Sequence, residues 1–172
     1  MSDADFEAFL AVASPGLLRT ATLLAGSRTS GEDLLQDALA RTYRHWGHIA
    51  DGHPEAYVRT TMVHLQSSWW RRRWSGELPS ANVPERETPD AADAQVADRV
   101  SLERALASLP LAQRQVVVLR YVDDLSLAEV AEAVGRPQGT VKSQAARGLE
   151  RLRQLLTHDA DLVGSTTGGH HE

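Results

Sequence analysis

The stretch that decides the fold of the C-terminal half is residues 125–153, LSLAEVAEAVGRPQGTVKSQAARGLERLR. Ser126 lies three residues before Glu129, which is the spacing of a capping box. Leu125 and Val130 stand on either side of this box, at the positions of a hydrophobic staple. These four residues predict a helix that begins directly after Ser126.

The same stretch also predicts where this helix ends. Gly135 suits the left-handed position that follows a helix, and Pro137 prevents the helix from continuing. Thr140 can then cap a second helix. Two helices joined by a turn of about four residues that contains glycine predict a helix-turn-helix motif.

The second helix of this motif is predicted to have two different faces. Its apolar side chains share one side of a helical wheel and face the core: Val141, Ala145, Leu149, Leu152 and Leu156. The outer side and the helix start carry the residues that can reach duplex DNA: Thr140, Lys142, Ser143, Ala146 and Arg147. Lys142 or Arg147 can donate to guanine O6 and N7 in the major groove. The pattern also fits an ordinary helical hairpin whose polar face meets only water.

Another unusual helix is predicted from about residue 55 to residue 74. Its core stripe is Val58, Thr61, Met62, Leu65 and Trp69. The opposite side carries aromatic, polar and basic residues: Val63, His64, Ser67, Trp70, Arg71 and Trp74, continuing into Arg72 and Arg73. Tryptophans among arginines suit unpaired nucleic acid, because bases stack on the rings and guanidinium groups neutralise phosphates. The alternative is that the tryptophans pack on another helix and the arginines form a solvated helix end.

Three helices are predicted before this one. Asp5–Val12 and Pro15–Gly26 form two short helices, and Ser30 caps a third over Glu32–Trp46. In this third helix the apolar residues gather on one side. The other side is polar and partly acidic: Asp33, Gln36, Asp37, Ala40 and Arg44.

Residues 75–98 separate the chain into two helical parts. They contain three prolines, six acidic residues and one arginine, and they lack apolar periodicity before Val96. Further helices are predicted at 99–109 and at 110–124. No alternating strand pattern of useful length occurs. The predicted fold class is therefore all-α, with two small helical domains joined by an acidic, proline-containing linker.

The composition limits the chemistry that this chain can perform. Its 172 residues include no cysteine, which excludes disulfides, cysteine zinc sites and thiol nucleophiles. The net charge is −5, but the excess of acidic residues lies in the linker. The net charge therefore does not exclude nucleic-acid binding by the two modules. Among the 18 basic residues only Lys142 is a lysine. This bias suits bidentate recognition of phosphate and guanine, and genomic base composition explains it equally well.

The sequence predicts neither an enzyme nor a membrane protein. Its candidate metal ligands, His45, His48, Asp51 and His53, fall across a predicted loop without the helical spacing of a metal motif. A glycine-rich phosphate loop and a nucleophile elbow are both missing. Uninterrupted apolar runs stay below the roughly 18 residues that span a bilayer, and the N-terminus is acidic. We expect a cytoplasmic protein without a cofactor or a metal site.

Both halves resemble one known family. The stretch from Leu125 to Ser143, followed by residues 147–153, resembles the promoter-binding domain of extracytoplasmic-function RNA polymerase sigma factors. EDLLQD at 32–37 and YRHW at 43–46 resemble the core-polymerase-binding helix of that group. PEAYVR at 54–59 and WWRRRW at 69–74 resemble its short actinobacterial SigE-like subfamily.

The resemblance implies a function and a division of labour. A sigma factor binds core RNA polymerase through the β′ clamp and the β flap and directs it to promoter DNA. The residues implied to bind polymerase are Asp33, Gln36, Asp37 and Arg44. Those implied to contact the −10 element are His64, Ser67, Trp70, Arg71, Arg72, Arg73 and Trp74. Those implied to contact the −35 element are Thr140, Lys142, Ser143, Ala146 and Arg147.

The same resemblance implies domain bounds and a further partner. Region 2 would span residues 1–74, the linker 75–98, region 4 residues 99–158 and a tail 159–172. An anti-sigma factor is a candidate partner. His64 stands where the family commonly has asparagine, and Gln144 stands where arginine is frequent. The alternative function is a stand-alone helix-turn-helix regulator that binds palindromic duplex DNA as a dimer.

Overall fold

The computed structural model describes residues 3–49, 52–76 and 94–166, and this part of the chain contains helices and short connections but no strand. In chain order the helices are α1 (Asp3–Ala25), α2 (Arg28–Arg44), α3 (Trp46–Ile49), α4 (Pro54–Trp74), α5 (Ala94–Ala107), α6 (Leu111–Val117), α7 (Leu127–Val134) and α8 (Gln138–Thr166). A π-helical segment, Val118–Val122, follows α6. The all-α prediction is confirmed.

The first helix differs from its prediction. Two short helices, Asp5–Val12 and Pro15–Gly26, were expected, but α1 runs unbroken through Pro15. A proline inside a helix removes one backbone hydrogen bond and crowds the preceding turn. Ala13 and Leu17, on either side of Pro15, both lie in the apolar core. Packing on both sides of the proline therefore keeps the helix continuous.

The length of α1 gives it a second property. By length and composition alone it could cross a membrane, although the prediction found no such run. The prediction counted uninterrupted apolar residues, whereas the average hydropathy of a helix tolerates isolated polar ones. Leu17 and Leu24 are almost completely buried in the core. Core helices of soluble proteins pass the same test.

The second helix begins and ends earlier than predicted. Ser27, not Ser30, is its N-cap, and the Ser27 hydroxyl accepts a hydrogen bond from the Ser30 amide at 3.2 Å. The helix ends at Arg44, and Trp46 begins the separate helix α3. The Trp46 ring is nevertheless buried, in edge contact with Phe6 of α1 at 4.9 Å between centroids.

The helix-turn-helix motif is confirmed in its local details. Ser126 and Glu129 form the reciprocal capping box at the start of α7. Gly135 ends α7 in the left-handed conformation, with φ of 64°. The second helix starts three residues earlier than predicted, at Gln138, so Thr140 lies inside its first turn and is not the cap. The Pro137 carbonyl accepts the first helical hydrogen bond, from the Val141 amide.

Two helix ends reach into segments predicted as linker and tail. The fifth helix begins at Ala94, inside the predicted 75–98 linker, and α8 continues to Thr166, inside the predicted 159–172 tail. Residues 77–93 and 167–172 lie outside the described part of the chain. The predictions of an irregular linker and a terminal tail therefore refer mainly to residues that the structure does not describe.

The two halves of the chain share their apolar core. One cluster joins side chains of α1, α2 and α4 with side chains of α5, of the connection between α5 and α6, and of α6 and α8: Leu17, Leu24, Leu34, Val58 and Met62 with Leu106, Leu109, Val117 and Leu152. The predicted modules are present, and they pack directly against each other. This contact brings the helix-turn-helix close to α4.

Candidate nucleic-acid interface

The outer face of α8 exposes the side chains predicted to contact duplex DNA. Four of them are exposed: Lys142, Ser143, Ala146 and Arg147. Thr140 is half-buried, and the opposite face of the helix is buried through Val141, Ala145 and Leu152. The Ser143 hydroxyl donates to the Gly139 carbonyl at 3.1 Å. The two faces of this helix therefore agree with the wheel.

Two residues of α8 were missed by the sequence reasoning. Gly148 is buried against α6, and a Cβ atom there would lie only 2.6 Å from Val117 Cγ2. This glycine thus lets the recognition helix approach α6 closely, which periodicity could not reveal.

Arg151 is exposed one turn beyond Arg147. The four-residue spacing extends the basic face and could have been seen in the sequence.

The C-terminal half of α4 carries the predicted aromatic and basic surface. Trp70 is 44% exposed and Trp74 84% exposed. Their rings are nearly parallel, with an angle of 17° and 6.5 Å between centroids. The arginines from 71 to 73 and His64 are also exposed. An open aromatic pair next to three guanidinium groups matches the chemistry that unpaired bases and phosphates require. Among the described residues no other helix covers these two rings enough to bury them.

One edge of this surface is covered, contrary to the sequence prediction. Val63 was placed on the open side of α4, but it is only 1% exposed and packs among residues of α6 to α8. Ser67 is half-buried, and its hydroxyl oxygen accepts a hydrogen bond from Gln115 Nε2 at 3.1 Å. The wheel considered α4 alone, and the second module supplies the covering side chains.

The polar side of α2 is open as predicted. Asp33, Gln36, Asp37 and Arg44 are all exposed, while the other side of the helix is packed through Leu34, Leu35 and Ala38. Gly31 allows α2 to cross α1 closely, since a Cβ there would lie 2.6 Å from Thr22 Cα. The exposed carboxylates and amide form a continuous polar surface on the outside of the first module.

A buried ion pair joins the two modules. Arg59 Nε of α4 donates to Asp123 Oδ2 at 3.0 Å, and the Thr20 hydroxyl of α1 donates to Asp123 Oδ1 at 2.6 Å. The Asp123 side chain is 6% exposed and the Arg59 side chain 16%. Arg59 also contacts Glu55 Oε2 at 3.0 Å. Burial raises the pKa of the Asp123 carboxyl, while the bond from Thr20 and the charge of Arg59 act in the opposite direction.

A second set of polar contacts lies beside this pair. Gln115 Nε2 contacts Gln66 Oε1 at 3.1 Å, and the Gln66 amide in turn donates to the Leu24 carbonyl at the end of α1. Arg114 Nη1 donates to the same carbonyl at 3.0 Å, and its Nη2 donates to Ala107 O at 2.7 Å. Burial lowers the pKa of the Arg114 guanidinium. These side chains satisfy carbonyls that the ends of α1 and α5 leave without helical partners. No local pattern in the sequence indicated these long-range partners.

The described residues hold no group of three His, Cys, Asp or Glu side chains arranged to bind a metal ion. His45 Nδ1 lies 3.0 Å from the Arg41 carbonyl, and His48 and His53 are exposed. Asp51 lies outside the described part of the chain.

Family models match both modules. A model described as sigma-70 region 2 matches residues 12–76, and one described as sigma-70, region 4 matches residues 99–152. A conventional helix-turn-helix regulator leaves the first of these matches unexplained, so the stand-alone alternative is not favoured.

Known proteins resemble the chain over most of its length. The RNA polymerase sigma-E factor of Streptomyces coelicolor is 42% identical over 159 residues, which cover 91% of this chain and 89% of that protein. The ECF RNA polymerase sigma factor SigL of Mycobacterium tuberculosis is 31% identical over 146 residues, which cover 81% and 82%.

Two solved structures share the fold. The sigma factor RpoE of Bartonella quintana, in complex with the anti-sigma factor NepR, has a TM-score of 0.68 at 25% identity and covers 89% of this chain and 97% of that one. The structure of CnrH, in complex with the cytosolic domain of CnrY, has a TM-score of 0.62 at 20% identity, with 90% and 88% covered. By both modules and by its relatives, this chain belongs to the extracytoplasmic-function group of the sigma-70 family of RNA polymerase sigma factors and is similar to its sigma-E members.

Proposed function

We propose that this chain, acting as a sigma factor, directs core RNA polymerase to promoters through two DNA contacts of different chemistry. The observation that carries the proposal is the presence of two unlike surfaces in one chain. One is the exposed polar face of α8, which suits duplex DNA, and the other is the Trp70 and Trp74 surface of α4, which suits an unpaired strand. A duplex-binding regulator has no use for the second surface.

The −35 element is read as duplex by α8. Arg147 and Lys142 donate to guanine, Ala146 permits close approach to a thymine methyl, and Ser143 and Thr140 contact backbone or base edges. This proposal is supported by the exposure of four of these side chains on one face of α8: Lys142, Ser143, Ala146 and Arg147. Thr140 is half-buried, and the opposite face of the helix is packed in the core. Replacing Arg147 with alanine is expected to lower −35 duplex affinity by about 1–3 kcal/mol and to relax the base preference.

Arg153 provides a matched control for this substitution. It lies on the same helix and is exposed, but it is paired with Glu150 at 3.5 Å, away from the Arg147 face. Arg153→Ala should leave base preference unchanged in the same fluorescence-anisotropy titration. Equal effects of the two substitutions would mean that α8 contributes only general charge.

The −10 element is captured as a single strand by α4. Bases stack on Trp70 and Trp74 while the arginines at 71–73 neutralise phosphates, with His64 and Ser67 at the edge of the surface. Each stacked base contributes about 1–3 kcal/mol, comparable with the roughly 1.4 kcal/mol of one base-pair step. Capture of transiently unpaired bases therefore favours strand opening without ATP.

A pre-opened template tests this role. Trp70→Ala with Trp74→Ala should reduce open-complex formation on duplex promoters, measured with a fluorescent base analogue at −10. On a template with a mismatched −10 bubble the defect should be smaller, since strand separation no longer has to be driven by stacking. Weaker −35 binding by the double variant would instead indicate misfolding.

Core polymerase docks on the polar side of α2, and Asp33, Gln36, Asp37 and Arg44 contact the β′ clamp. Contact of the second module with the β flap places both modules on one polymerase. Tethering two weak DNA contacts in this way raises their combined affinity. A chain with a net charge of −5 fits such an arrangement, because it does not depend on a strong overall positive charge to reach DNA.

The wider assignments follow from the family. The relatives are named as RNA polymerase sigma factors, and we propose a cytoplasmic chain without enzymatic activity, with region 2 at 1–74 and region 4 at 99–158. Since two similar structures were solved with bound anti-sigma factors, we also propose a protein inhibitor for this chain. Run-off transcription from fragmented genomic DNA with added core polymerase tests the whole assignment. Specific duplex binding without core binding would support the regulator instead.

A further inference from the structure

We propose that Ser75 is a phosphorylation site and that a phosphate on it blocks the −10 surface of α4. Ser75 is the C-cap of α4 and directly follows three arginines, at 71–73, and Trp74. The phosphoryl donor is ATP, and the catalyst is a serine protein kinase that selects acceptors preceded by arginine. The inference rests on the −10 assignment proposed above.

The acceptor hydroxyl lies on a turn that a kinase can reach. Every residue from 70 to 76 is exposed, so little buried surface holds the last turn of α4 in place. Gly76 follows with φ of 74°, a left-handed conformation that ends the helix. A helix end with few buried contacts unwinds at low cost in free energy, which lets Ser75 enter a kinase cleft as extended chain.

Other hydroxyls near the end of a helix are less suited to this reaction. Ser67 and Ser68 of α4 are half-buried. Ser108 is exposed beyond the end of α5 and, like Ser75, donates its hydroxyl to a carbonyl of the preceding turn. It has one arginine, Arg104, among the four residues before it, whereas three consecutive arginines occur only at 71–73. Ser108 is therefore a matched control for Ser75.

Phosphoryl transfer changes both the charge and the hydrogen bonding of Ser75. Its Oγ attacks the γ-phosphorus of ATP, the bond from that phosphorus to the β–γ bridging oxygen breaks, ADP leaves, and the hydroxyl proton passes to a base of the kinase. The unmodified Oγ donates to the Arg72 carbonyl at 3.0 Å. The phosphoester oxygen has no proton to donate, so this bond is lost, and the phosphate adds a charge of about −1.5 to −2 at pH 7.

The new phosphate lies beside arginines that the −10 strand is proposed to contact. Residues three and four positions apart share one side of a helix, so a phosphate at 75 is next to Arg72 and Arg71. Within the part of the chain that the structure describes, neither of these guanidinium groups is paired with a carboxylate, unlike Arg28 and Arg59. Guanidinium groups form strong, short hydrogen bonds to phosphate oxygens. The phosphate on Ser75 thus competes with the phosphates of the DNA strand.

The size of the effect follows from the loss of two strand contacts. Each phosphate contact to a single strand contributes about 0.7 to the slope of log affinity against log salt, so two lost contacts reduce the slope by about 1.4. By counterion release alone, strand binding then weakens about tenfold at about 0.2 M salt and about sixtyfold at about 0.05 M salt. The −35 contact of α8 does not use these arginines and should not change.

The test uses the full chain with phosphoserine genetically encoded at position 75 and saturating core polymerase. A fluorescent single-stranded −10 oligonucleotide, taken from a promoter recovered by run-off transcription, is titrated at the two salt concentrations. Phosphoserine at position 108 is the matched control, and Ser75→Ala removes the acceptor. We expect weaker strand binding only with phosphoserine at 75, with the larger loss at low salt and with parental −35 duplex binding. Mass spectrometry of chain isolated from growing and from starved native cells should find phosphate on Ser75.

Parental strand binding by the chain phosphorylated at Ser75 overturns the inference, as does an equal loss with phosphoserine at position 108. Absence of phosphate on Ser75 from both cultures also overturns it. Failure of the −10 assignment appears separately, because Trp70→Ala with Trp74→Ala then leaves strand binding intact in the same titration.

Discussion

The packing of the recognition helix depends on a single missing methyl group, and adding it should weaken both stability and −35 readout. An alanine Cβ at position 148 would lie 2.6 Å from Val117 Cγ2, about 1 Å closer than an ordinary carbon contact of about 3.5–4.0 Å. Val117 is 3% exposed and β-branched, so its side chain has little freedom to rotate away.

The size of the effect follows from two opposing terms. Replacing glycine with alanine inside a helix favours folding by about 1 kcal/mol, whereas overpacking a core costs about 1–3 kcal/mol. Because the Val117 side chain has little freedom to move, we place the cost in the upper part of this range, at about 2–3 kcal/mol, so Gly148→Ala should lower the unfolding free energy by about 1–2 kcal/mol. Because Arg147 is the next residue, displacement of α8 should also weaken −35 binding. Chemical denaturation and duplex titration measure the two effects.

A double-mutant cycle identifies the cause. Val117→Ala removes the clashing methyl group and alone costs about 2 kcal/mol, but it leaves the space that the new Cβ needs. Val117→Ala with Gly148→Ala should therefore be more stable than the sum of the single effects by about 1 kcal/mol or more. Gly16→Ala is the control, because a Cβ there meets nothing within 4 Å and should be neutral or stabilising. Additive effects, or a Gly148→Ala chain as stable as the parent, would refute the reasoning.

Three further predictions concern the other surfaces and joints. Gly31→Ala should destabilise the first module by about 2 kcal/mol or more, measured by thermal unfolding, because its Cβ would meet the backbone of Thr22, which cannot rotate aside. Asp37→Arg should weaken core polymerase binding by about tenfold or more in a competition assay and should leave −35 binding unchanged. Unaltered core affinity would mean that core polymerase does not dock on this side of α2. The bonds from Ser126 lower the pKa of Glu129, so its contribution is present above the ordinary pKa of 4.5 and is lost as the pH falls through the folded pKa. The stability difference between the parent and Glu129→Gln should therefore shrink below pH 4.5, and a constant difference would contradict the role of the capping box.

Local signals in the sequence determined the parts of the molecule whose partners are close in the chain. The capping box at Ser126, the left-handed Gly135 and the two faces of α8 depend on residues at most a few positions apart, and the structure has all three as predicted. The polar side of α2 and the exposed Trp70 and Trp74 were also visible from periodicity. Helix geometry repeats every 3.6 residues, so such patterns can be read without knowing the rest of the fold.

The tertiary structure decided everything that depends on distant partners. Pro15 lies inside one continuous helix because the core holds both of its sides, although the local rule predicted a break. Val63 is buried and Ser67 is bonded because a second module arrives from elsewhere in the chain. Asp123 meets Arg59 and Thr20, which are 64 and 103 residues away, and no local pattern encodes such a contact. Packing between distant segments depends on the complementary shape and chemistry of two surfaces, and a single sequence displays each surface without its partner.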